Sequence, residues 1–231
     1  MTVRTGARSA KYPPNHAARL AFARDIKYEF EMVMNTTMYM HRNSAYSIAL
    51  NERDRRGEPI SKVERWRIST YNSVLESWTI HNRALLEFFT PLRASGAGHR
   101  GAAKKDVPEP NGRRGFDDTA AAEDFVIGHE AWARMMSGYA PDPHKIQTNK
   151  RVTHLSYLRL QLKNDWSLRY AEETAKLGLE FLKATDSEVF PEETAKKLLR
   201  TLTFFLSGEW MRHPEWIPDL ERQTVEKPSP L

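Results

Sequence analysis

One segment gathers a histidine, several cations and a hydroxyl closely enough to do chemistry: Asn149-Lys-Arg-Val-Thr-His154-Leu-Ser-Tyr-Leu-Arg159. On a helix Lys150 and His154 are four residues apart and share a face, with Arg151 at its border. Gln147, Leu158 and Gln161 extend that face. A histidine set among cations can act as general acid or base on a phosphodiester while the cations stabilise charge on the phosphoryl oxygens. The same spacing is met by a packing helix, with Ile146, Val152, Leu155 and Leu158 in the core and His154 holding one buried hydrogen bond.

A second cluster is His81-Asn82-Arg83 in the run Glu76 to Phe89. His81 falls on an apolar stripe, which favours a histidine satisfied in the core. Arg83 and Glu87 are spaced to pair on the outer face. Polar groups in an otherwise apolar helix cost free energy unless paired. This cost nominates His81, Asn82 and Arg83 as supporting residues of a site shared with His154. A third cluster, Asp117-Asp118 with Glu123-Asp124, has the carboxylates for a divalent cation, or equally for capping a helix.

Several chemistries are excluded. With no cysteine there is no disulfide, thiolate zinc site, iron–sulfur cluster or cysteine nucleophile. No Glu-x-x-His di-iron motif occurs, and His129-Glu130 is followed by Ala131-Trp132-Ala133, which breaks the zincin pattern. There is no Walker loop or Gly-x-Ser-x-Gly elbow, and the glycines of 96–101 are not set between a strand and a helix as a dinucleotide fingerprint demands. No cofactor and no metal are expected.

The net charge of the 231 residues is +5, unevenly spread. From Arg93 to Arg114 six cations (Arg93, Arg100, Lys104, Lys105, Arg113 and Arg114) face Asp106 and Glu109. Met1–Phe30 again holds six Lys/Arg against two acids. Basic loops bind phosphates, which makes RNA a candidate partner of the 93–114 cations; solvated charge is the other reading. No signal-peptide pattern and no run of roughly 20 apolar residues is present, so the expectation is a cytoplasmic protein with no membrane partner.

The elements that must position these residues are helical throughout, since no run alternates as a strand does. Phe22, Ile26, Phe30, Val33, Thr37 and Met40 set a first helix over about 17–51, with Thr36-Thr37 as a candidate bend and Gly57 and Pro59 after its end. Ser61-Lys-Val-Glu64 is a capping box that opens a second long helix, to Pro91. Its stripe reads Val63, Trp66, Val74, Trp78, His81, Leu85 and Phe88/Phe89. A Gly/Pro-rich basic loop follows at 91–116. Helices are expected from Asp117-Asp118, at Glu130–Ser137, and over 143–161, 166–184 and 191–206, the last closed by Gly208. The six tryptophans read as core or interface anchors. The sum is an all-α, single-domain bundle over 16–215, two long N-terminal antiparallel helices with a C-terminal helical cluster, and flexible tails at 1–15 and 217–231.

The runs Leu75–Phe89 and Asn149–Arg159 resemble a group of uncharacterised bacterial helical proteins and, more loosely, HEPN-type domains. That resemblance implies a helical bundle that often dimerises. In its active members, it implies metal-independent RNA cleavage by an Arg, four to six residues, then a His, at a cleft built by two protomers. Here Asn149 stands in place of the Arg. Arg93-x5-His99 meets the count but lies in the Gly-rich loop. The leading expectation is therefore a non-catalytic HEPN-like bundle that binds a partner, itself as a dimer or RNA through the basic loop. The alternatives are a ribonuclease using His154 with Lys150 and Arg151, and a structural protein-interaction bundle with no nucleic-acid role.

Overall fold

The computed structural model describes residues 16–89, 122, 125–127, 132 and 166–223. They are helical, with a single isolated bridge, Val126 to Thr185, as the only extended pairing among the described residues. Helix α1 runs His16–Arg55 without a break in its assignment, α2 Lys62–Phe89, α3 Trp166–Ala184 and α4 Glu192–Ser207. A single turn of helix, α5 at Glu209–Arg212, and a 3-10 turn at Pro214–Trp216 follow.

Helices α1 and α2 form the antiparallel pair the periodicity predicts. Across their interface rising numbers meet falling ones: Glu29 touches His81, Thr37 touches Trp78, Tyr46 touches Arg67 and Arg53 touches Glu64. The turn between them is built from local chemistry. Gly57 adopts φ +71°, and the N–H groups of Gly57 and Glu58 donate to the carbonyls of Asp54 and Arg53. This is the paired 5→2 and 6→1 closure that needs a left-handed residue after a helix. On the other side the Ser61 N–H donates to the Glu64 carboxylate at 2.8 Å, and the Glu64 N–H to Ser61 Oγ at 3.2 Å. Arg53 adds a 2.7 Å ion pair to Glu64.

These bonds hold the Glu64 carboxyl at about 2, below its ordinary 4.5, the Ser61 backbone bond first among the causes. A lowered folded-state value stabilises the fold above the unfolded value and loses that effect as pH falls through the folded one. Glu64→Gln keeps a capping side chain but removes the charge. The melting-temperature gap between wild type and Glu64→Gln is expected to be constant above about pH 5 and to close as pH drops toward 2. A gap that ignores pH over that window would contradict this role.

Helices α3 and α4 pack on α1, and the start of α4 follows Pro191 while Gly208, at φ +65°, closes its end. Close approach is possible at Gly178 of α3. A Cβ there would lie 2.6 Å from the Phe30 ring and 2.9 Å from a Leu202 methyl. One hydrophobic core joins all four helices through Phe30, Trp78, Phe89, Phe181, Leu198 and Leu202.

Not every expected core residue is inside. Phe22, Val63 and Trp66 are 39–42 % exposed. Trp66 stands twelve residues before Trp78, about 120° around the helix from it. It belongs to another face of α2. Of the tryptophans, Trp78, Trp132 and Trp210 are buried, whereas Trp66 and Trp216 lie largely at the surface. Within residues 217–223, expected from sequence as part of a tail, Leu220 is fully buried and Ile217 nearly so, whereas Pro218, Glu221 and Arg222 are exposed.

Candidate functional site

Of the residues singled out for chemistry, the structure places His81, Asn82 and Arg83. His154, Lys150 and Arg151, the six cations of 93–114, and Asp117, Asp118, Glu123 and Asp124 lie outside the described residues.

His81 is three residues past Trp78, at the edge of the buried stripe rather than its centre. Its Nδ1 is 2.8 Å from Glu29 Oε2 on α1, and Tyr28 packs edge-on against the imidazole at 5.5 Å. A carboxylate in that position favours a proton on Nδ1 and fixes the ring. The partners that surround the imidazole are therefore a carboxylate and a phenol ring.

Asn82 points the other way, into the bundle, and is fully buried. Its Oδ1 accepts from the Thr174 hydroxyl of α3 at 3.0 Å, while its Nδ2 has no partner among the described residues. The Thr174–Asn82 bond ties α2 to α3 inside the core. Arg83 pairs with Glu87 at 2.9 Å on the exposed face, as the spacing predicts. His81, Asn82 and Arg83 thus face three directions and do not converge on one point. Among the described residues no group of three His, Asp or Glu side chains is placed to hold a metal ion.

Two other places have the shape of a binding site. The first is an open groove of about 490 Å³ between α1 and α2, lined by Met32 and Thr36 on one side and Trp66, Thr70, Ser73 and Ser77 on the other. A second hollow of about 320 Å³ shares Thr36 and Val74 with it and ends against Trp216, Ile217 and Pro218.

No protein-family model, curated protein or solved structure matches the chain. Its function has to be read from its own surfaces. No helix of the described residues is long and apolar enough to cross a membrane.

The second place is the surface that holds the C-terminal strap, residues 217–223. Asn43 of α1 donates from Nδ2 to the Pro218 carbonyl at 3.0 Å and accepts the Leu220 N–H at Oδ1 at 2.6 Å. Arg42 pairs with Asp219 at 3.0 Å, and Arg67 of α2 donates to the Gln223 carbonyl at 2.9 Å and to the Tyr46 hydroxyl. Behind the strap Tyr39 and Tyr71 are held protonated. Burial pushes Tyr71 up to about 12, and burial followed by the Asp219 charge raises Tyr39. Sequence reasoning did not find this clamp. Its one local sign is Asn43 with Ser47, two polar side chains on the buried side of α1 that demand partners.

Proposed function

We propose that the chain is a non-catalytic helical bundle of HEPN-like kind that binds a partner, and that this partner is a second copy docked on the outward face of α2. The observation that carries the reading is the residue order on that face. Trp66, Ser69, Ser73, Ser77, Ile80 and Ala84 stand at −7, −4, 0, +4, +7 and +11 from Ser73. At about 100° per residue they fall within roughly 40° of one line. None of these six is charged, Lys62 and Glu87 falling on the same line only beyond its two ends, and Trp66 and Ile80 are 42 % and 64 % exposed. Exposed apolar side chains without interleaved charge mark interaction surfaces.

A two-fold interface requires a patch that is complementary to itself. The large–small–large order about Ser73 meets that requirement. An antiparallel crossing at Ser73 sets Trp66 of one copy against Ile80 of the other, while the serines allow the helix axes to approach closely. The open groove beside Ser73 and Ser77 offers room for side chains of the second copy. The non-catalytic part of the reading rests on Asn149, which stands where active HEPN-type ribonucleases carry an Arg.

Sedimentation velocity across a concentration series tests it. Wild type is expected to dimerise. Ile80→Glu, which buries two carboxylates at one interface, is expected to weaken association by at least about tenfold. A wild type that stays monomeric, or an Ile80→Glu variant that dimerises unchanged, would reject the reading. RNA binding that falls steeply with salt and disappears when the 93–114 cations are neutralised would favour the basic loop instead. RNA cleavage in EDTA that is abolished by His154→Ala would favour the ribonuclease.

A further inference from the structure

We infer that the surface formed by Arg42, Asn43 and Arg67 is a recognition site for an extended peptide, and that the chain's own Ile217-Pro-Asp-Leu220 occupies it in cis as a displaceable stand-in. The partner it fits is a protein segment of the pattern aliphatic-Pro-Asp-Leu, extended at the aliphatic residue and turning at the Leu. This surface is distinct from the outward face of α2, and neither proposal depends on the other.

The argument starts from the way the strap is held. After the 3-10 turn at Pro214–Trp216 the chain is extended at Ile217, runs without regular structure to Asp219 and turns at Leu220–Arg222, where the Gln223 N–H donates to the Asp219 carbonyl at 3.1 Å. An extended chain exposes its own N–H and C=O groups, and these need partners when it is buried. Asn43 supplies them from a rigid helix, giving a donor to Pro218 O and an acceptor to Leu220 N–H. That pair reads backbone spacing, not side-chain identity. Asn43 is oriented by a further bond from Nδ2 to the Tyr39 carbonyl at 2.8 Å, so it is preset for the task.

Specificity comes from the neighbours. Arg42 reads the carboxylate of Asp219, and the same carboxylate accepts the Glu221 N–H and shapes the turn that follows. Leu220 is fully buried and Ile217 is 8 % exposed, so two apolar side chains anchor the segment on either side of the acid. Pro218 suits an extended path and has no N–H to satisfy. Backbone bonds for affinity, and side-chain pockets for selectivity, are the division of labour in extended-peptide recognition.

The occupancy has the form of a tethered competitor. Two buried anchors and a set of polar bonds hold the strap, and an incoming segment of the same pattern would replace each bond in kind. The hollow of about 320 Å³ that ends on Trp216, Ile217 and Pro218 leaves one side of the strap open to approach. Trp216 stacks on His213 at 4.2 Å and lies 5.9 Å from Phe204, which keeps the turn ahead of the strap in place when the strap lifts.

The experiment uses the full chain and a fluorescein-labelled peptide with the sequence of residues 214–223. Leu220→Glu removes an anchor from the strap and leaves the α1–α2 surface intact, and Asp219→Lys is the second releasing variant should the first fail to fold. Fluorescence anisotropy is expected to show saturable binding to the releasing variants and far weaker binding to wild type. Adding Asn43→Ala to a releasing variant is expected to weaken binding at least about tenfold, as is replacing Asp by Lys in the peptide. Circular dichroism verifies that each variant is helical. A folded, strap-released protein that does not bind the peptide would overturn the proposal. So would binding indifferent to Asn43, or wild-type association lost in Leu220→Glu, the mark of straps exchanged between two copies.

Discussion

Replacing Trp78 by alanine is expected to destabilise the fold by about 3–5 kcal/mol, among the largest effects open to a single change in this chain. Trp78 is fully buried at the centre of the α1–α2 interface. Its Nε1–H donates to Thr37 Oγ1 at 2.8 Å, and that hydroxyl donates in turn to the Val33 carbonyl at 2.7 Å. The substitution removes an indole that the neighbouring helices cannot replace by collapse, and with it the donor to a buried hydroxyl. Trp78→Phe separates the two contributions. It keeps most of the volume and loses the hydrogen bond, so about 1 kcal/mol is expected from the lost bond. Urea denaturation measures both. With total stability of a domain near 5–15 kcal/mol, Trp78→Ala is expected to move the midpoint far more than any surface change. A loss below about 1 kcal/mol would show that α2 does not depend on this contact.

Phe181→Ala on α3 is the second large effect, expected at about 3–5 kcal/mol. Phe181 is fully buried, with Phe88 at 5.4 Å, Phe190 at 5.5 Å, Phe89 at 5.7 Å and Trp132 at 5.9 Å, all edge-on. Such pairs add about 0.5–1.5 kcal/mol beyond area burial. The four rings come from α2, from the segment at 132 and from the α3–α4 connection, so one truncation loosens three parts of the fold. The near-ultraviolet circular dichroism of the aromatic cluster is expected to collapse while helix content is largely kept. Retention of the full aromatic signal with unchanged stability would place the structural centre elsewhere.

Much of this fold is legible in the sequence because its signals are local. Ser61 and Glu64 announce the start of α2, Gly57 the end of α1, Pro191 the start of α4 and Gly208 its end, each through a bond that spans a few residues. The stripe Ile26, Phe30, Val33, Thr37 and Met40 is buried as its spacing requires. Trp66 lies about 120° around α2 from Trp78, which carries it to the outer face, whereas Val63 is only about 60° away and is exposed in the first turn of the helix.

The sites are less legible, for a physical reason. Asn43 meets Pro218 and Leu220 across more than 170 residues, and the strap has no period to reveal its path. A buried asparagine states that a partner exists without saying which. His81 shows the converse. Its position suggested either a core histidine or support for a site, and what holds it is Glu29, a residue 52 positions earlier on α1. The self-complementary order about Ser73 was present in the sequence throughout. Which face of α2 the other described helices leave exposed is set by packing, not by that order itself.

The central claim, association of two copies across Ser73, has one direct test. The chain has no cysteine, so Ser73→Cys carries a single thiol. A two-fold crossing at residue 73 brings that thiol against its own copy, within the roughly 4.4–6.8 Å Cα separation that a disulfide tolerates. Mild oxidation at low micromolar concentration is expected to give a covalent dimer that reducing agent reverses, while Thr203→Cys on the exposed side of α4 gives only background cross-linking. Cross-linking of Ser73→Cys no faster than that of Thr203→Cys would contradict the claim.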